Sequence, residues 1–60
     1  MDVPVLVGWL YKNTINDRII LVTENKGRYI KAMVIRTGEI IEISNYFMAI
    51  RYERMGARHD

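Results

Sequence analysis

The strand-like segments of this chain are apolar on both parities. In residues 5–11, Val5, Val7, Trp9 and Tyr11 fall on one face of an extended chain and Leu6, Gly8 and Leu10 on the other, so neither face is plainly solvated. Residues 18–23 repeat the pattern, with Ile19 and Leu21 opposed to Ile20 and Val22. A sheet with one wet face shows clean polar alternation on that side. Two apolar faces point instead to a closed barrel, a covering helix or a subunit interface.

Turn residues divide the chain into five short elements. Pro4 suits the start of a first strand over residues 5–12, and residues 13–17 (Asn-Thr-Ile-Asn-Asp) read as a loop of side chains that bond their own backbone. A second strand, over residues 18–24, is almost entirely β-branched or leucine and ends in Asn25-Lys26-Gly27, which supplies positive φ for a hairpin. The third strand, over residues 28–36, offers Ile30, Ala32 and Val34 to a core and Tyr29, Lys31, Met33 and Ile35 to the other side. Thr37-Gly38 then reverses the chain into a fourth strand over residues 39–44, with Ile41 and Ile43 inward.

The last element fits two templates. As a strand over residues 47–54 it alternates Met48, Ile50 and Tyr52 inward against Ala49, Arg51 and Glu53; this is the preferred reading. As a helix it has Ser44 for an N-cap, Gly56 as terminator and Arg54 in its last turn. The expected fold is therefore all-β, a five-stranded antiparallel barrel of SH3-like or OB-like type. The alternative is a four-stranded antiparallel sheet with a C-terminal helix over about residues 45–55. In either case residues 1–60 form one domain, with a frayed tail over residues 56–60.

The tripeptide Ser44-Asn45-Tyr46 resembles one that precedes the last strand of Src homology 3 domains. Three residues assign no family. Ile43 stands where those domains usually carry proline, and the acidic loop and paired tryptophans of their peptide groove have no counterpart.

Composition narrows the function classes. Sixty residues bury only about 60% of the surface of the unfolded chain, and the absence of cysteine removes disulfides, thiolate catalysis and cysteine-ligated zinc. Self-association is the remaining route to extra stability that suits two-faced strands, so a homodimer or higher homo-oligomer is expected, with Leu6, Leu10, Ile20 and Ile40 at the interface. The opening Met1-Asp2-Val3-Pro4 is no signal leader, and no run reaches the ~18 apolar residues of a membrane helix, so a cytoplasmic protein without a membrane partner is expected.

Nine lysines and arginines against seven acids give a formal charge of +2, a mild bias. Catalytic residues are scarce: His59, the one histidine, is next to last in the chain, and Glu39 and Glu42 project to opposite faces of a strand. The four glycines are isolated, so no phosphate-cradling loop exists, and neither a metal site nor a cofactor is implied. Aromatic and basic residues do interleave: Trp9 and Tyr11 share one face of a strand, and Tyr29 and Lys31 share one face of another.

If those faces adjoin, they make a base-stacking platform edged by cations. The leading expectation is thus a non-enzymatic nucleic-acid binder. Trp9, Tyr11 and Tyr29 would stack on bases, and Lys31, Arg28, Arg36 and Arg51 would meet phosphates. The alternative is a protein-interaction module, a small inhibitor or adaptor that docks through an apolar face or a strand edge.

Overall fold

The computed structural model describes the backbone of residues 5–58 and the side chains of residues 5–55. Pro4 and His59 lie outside the described residues. Among the described residues five strands run in the order β1 (Trp9–Asn13), β2 (Ile19–Asn25), β3 (Tyr29–Val34), β4 (Ile40–Ser44) and β5 (Tyr52–Arg58), with one helix, α1 (Asn45–Arg51), between the last two. They form a single antiparallel sheet in the spatial order β4-β3-β2-β1-β5. Its edges are β4 and β5, which are not paired with each other, so the sheet is not closed. No described helix is long and apolar enough to cross a membrane.

The turns form where the sequence places them. At the β2–β3 reversal Gly27 adopts φ 95° and its N–H donates to Asn25 Oδ1 at 2.9 Å. At the β3–β4 reversal Gly38 takes φ 77° and donates to the Val34 carbonyl at 2.7 Å. Between β1 and β2 the buried Asn13 accepts from the N–H groups of Ile15 (2.8 Å) and Asn16 (3.2 Å), and Arg18 N–H donates to Asn16 Oδ1 at 2.9 Å. Local side-chain acceptors thereby replace the ladder the loop has lost. The first strand begins later than expected. Gly8, at φ 88°, sits in a turn with Val7 and donates to the Val22 carbonyl at 2.8 Å, so β1 starts only at Trp9.

The final element corrects both readings of the sequence. Residues 47–54 are neither one strand nor a helix that runs on to Met55. The helix is seven residues long and ends at Arg51, after which Tyr52 turns extended (φ −124°, ψ 147°) and starts β5. Ser44 does cap the helix, its hydroxyl accepting from Phe47 N–H at 3.1 Å. No glycine ends it. The Arg51 carbonyl instead accepts from the N–H and the hydroxyl of Thr14, at 2.8 and 3.1 Å, and Tyr52, Glu53 and Arg54 pair with Asn13, Lys12 and Tyr11. A ladder along the β1 edge supplies more backbone bonds than another helical turn would. β5 continues to Arg58, into the stretch expected to be a tail, opposite Trp9.

One face of the sheet carries the core: Tyr11, Ile20, Val22, Ile30, Ala32, Val34, Ile43 and Tyr52, with Met48 from α1. The helix lies against β3, β4 and β5 on this inner side, where it stands across the gap between the two edge strands. Asn45 anchors its start: its N–H donates to the Arg28 carbonyl at 3.0 Å and its side-chain amide to the Gly27 carbonyl.

Candidate functional site

Register decides which of the expected site residues can act together. Tyr11 pairs with Ile20, and Ile20 with Val34, so this row of β1, β2 and β3 faces the core. Tyr11 is buried, and its hydroxyl accepts from Leu6 N–H at 3.0 Å. Trp9 lies on the same inner face, half-buried against the core, with the Arg54 guanidinium 4.6 Å from its ring centroid. Tyr29 and Lys31 alternate with the buried Ile30 and Ala32 of β3 and so project from the outer face. The expected platform of Trp9, Tyr11, Tyr29 and Lys31 is therefore split between opposite sides of one sheet. The cations are dispersed as well: Arg28 precedes β3, Arg36 follows it at the other end, and Arg51 closes α1.

The four expected interface residues also divide. Ile20 is 0% exposed within a single chain, so it presents nothing to a partner. Leu6 is half-buried beside Tyr11. Leu10 and Ile40 do share a surface, because Leu10 pairs with Leu21, Leu21 with Met33, and Met33 with Ile40. These four apolar side chains make one row across the outer faces of β1 to β4. On one side of it Glu24 pairs with Lys31 and Lys31 with Glu42; on the other Lys12 pairs with Ile19, and Ile35 N–H bonds the Ile19 carbonyl at 3.1 Å. Glu24 also meets Lys26 at 2.9 Å, a contact that lowers the carboxyl pKa and raises that of the amine.

A second apolar surface is one the strand reading could not reveal. With about 100° between successive helical residues, Tyr46, Ile50 and Phe47 fall within one stripe of α1 while Met48 points to the core. Tyr46 is 74% exposed, Ile50 48% and Phe47 41%, whereas Met48 is 2% exposed. In the sequence Tyr46 and Phe47 stand side by side just after Ser44-Asn45, a signal that an exposed aromatic pair can carry. Ile50, expected inward on a strand, is rotated outward by the helix. Arg51 borders the stripe, and Ile15 (69% exposed) stands on the loop whose Thr14 bonds the Arg51 carbonyl.

An open hollow of about 620 Å³ lies between the β1–β2 loop and the β3–β4 turn, lined by Asp17, Arg18, Arg36 and Glu39 among others. Its two acids and two cations balance, none of its described lining residues is a histidine or cysteine, and Asp17 is drawn to Lys12 at 3.7 Å. Among the described residues there is no group of three histidine, cysteine or acidic side chains that could hold a metal ion. Comparison with protein-family models, curated proteins and solved structures gave no match.

Proposed function

We propose that this chain is a non-enzymatic protein-interaction module that docks, through the exposed face of α1, a partner segment with apolar side chains bracketed by carboxylates. The observation that carries the reading is the stripe of Tyr46, Phe47 and Ile50, held outward by a helix whose opposite face is fixed by Met48. Two aromatic rings and an isoleucine on a rigid element are the kind of anchors that dominate interface energetics. Cations stand at both ends of the stripe: Arg51 in its last turn, and exposed Arg28, whose carbonyl holds the first helical N–H. No acid lies in the first turn of α1, so the flanks favour a negatively charged partner. The fold reading that accompanies this function is a small SH3-like barrel, left open between β4 and β5 and plugged by α1, in a cytoplasmic protein.

Nucleic-acid binding has less support. Its stacking residues face opposite sides of the sheet, and Arg54 already covers Trp9.

A peptide-display selection on the immobilised protein tests the proposal. Enriched peptides should combine aromatic or aliphatic residues with flanking Asp or Glu, and Phe47→Asp or Tyr46→Asp should abolish the enrichment with circular dichroism unchanged. Peptides insensitive to these substitutions, or no enrichment, would refute it. So would tight binding of a single-stranded oligonucleotide that weakens steeply with salt and quenches Trp9 fluorescence.

A further inference from the structure

A second surface, on the far side of the sheet from α1, carries an inference beyond that docking function. We infer that the outer face of β1 to β4 is an isologous interface between two copies of this chain, with the two-fold axis parallel to the strands and over the seam between β2 and β3. Register decides which residues meet. Such an axis lays β2 of one copy on β3 of the other and β1 on β4. Because Leu10, Leu21, Met33 and Ile40 are successive partners in one row, Leu21 then meets Met33 of the second copy and Leu10 meets Ile40. Along the next row Ile19 meets Ile35.

The charges fall into place under the same operation. Glu24 and Lys31 are cross-strand partners on either side of the seam, so the axis sets Glu24 of each copy over Lys31 of the other, twice per dimer. Glu24 already holds Lys26 at 2.9 Å, and a carboxylate has a second oxygen to offer. Glu42, at the end of that row on β4, comes over β1 near Gly8, where no like charge opposes it. An axis at right angles, along the apolar row, would press Glu24 and Lys31 of each copy onto Ile19 and Ile35 of the other and desolvate four charges against side chains that offer them no partner. Charge complementarity thus selects one arrangement of one occupant, a second copy. Each dimer would present two α1 surfaces to its partners.

A charge-swap experiment isolates the intermolecular contact. Wild type should sediment as a concentration-dependent dimer below about 100 µM, and Glu24→Lys or Lys31→Glu alone should weaken dimerisation by at least about tenfold through like-charge contacts. Mixing the two variants is the decisive arm. Within each variant residues 24 and 31 still carry like charges, whereas across a mixed dimer every such contact is complementary, so the mixture should regain wild-type dimerisation. As a control, Glu53→Lys, away from the seam, should neither weaken dimerisation nor substitute for Glu24→Lys in the mixture. A wild type that stays monomeric overturns the inference and leaves the face to a different protein; a mixture no stronger than its components overturns the two-fold arrangement. Neither result touches the α1 reading, because the peptide selection reads the opposite side of the sheet.

Discussion

The helix can be tested by truncating two of its residues separately. On a strand over residues 47–54, Met48 and Ile50 share the inward parity, and both would be costly to shorten. On α1 they part: Met48 is 2% exposed among the core side chains, and Ile50 points to solvent. Met48→Ala removes a buried side chain that supplies the contribution of α1 to the core, a loss of about 2–5 kcal/mol depending on how far the site collapses. The entire stability of a domain this size is about 3–9 kcal/mol, so this variant should lose a large share of it. Ile50→Ala gives up only partial burial and gains helix propensity, for a net cost below about 1 kcal/mol. Urea unfolding followed by circular dichroism, at one protein concentration, reads both. With a slope of about 1 kcal/mol per molar urea, Met48→Ala should lower the midpoint by about 2 M or more, and Ile50→Ala by less than about 1 M. Equal losses from the two substitutions would refute the helix.

Three further outcomes follow from the turns and the surface. Gly38→Ala should cost about 1 kcal/mol in the same assay, because φ is 77° and nothing lies within 4 Å of the new Cβ; a neutral result would remove the left-handed turn. Asn13→Ala strands the N–H groups of Ile15 and Asn16 and should cost about 1–3 kcal/mol, while Asn16→Ala, which frees only the exposed Arg18 N–H, should cost less. The Glu24–Lys26 pair should support folding across the pH range between the titrations of its two members. The lowered carboxyl pKa means its contribution is lost as pH falls through the folded-state value of Glu24, and the raised amine pKa means it is lost as pH rises through that of Lys26. Both groups are exposed, so the effect should be small, should shrink in Lys26→Met, where only Lys31 still acts on Glu24, and should fade with added salt in thermal melts taken across pH.

The sequence made β3 and β4 legible through alternation around the Gly38 turn and β2 through its β-branched run ending at the Gly27 turn, and Ile30, Ala32, Val34 and Ile43 were identifiable as inward residues from that alternation. Two things escaped it, for different reasons. In residues 44–55, Met48 and Tyr52 are four apart, a spacing that satisfies a helix face and a strand face equally. The cap at Ser44 starts a helix, but what stops it is the β1 edge and Thr14, more than thirty residues away in the chain. The second is the relation between strands. Alternation within β1 and β3 shows which residues share a face, yet whether Trp9 adjoins Tyr29 depends on which parity each strand turns to the core. That choice is made by the Tyr11–Ile20–Val34 register, a long-range property. Once the register is known, the two-faced strands become intelligible. One set of apolar residues fills a core closed by α1, and the other, from Leu10 to Ile40, is aligned into a row whose burial would require a second molecule.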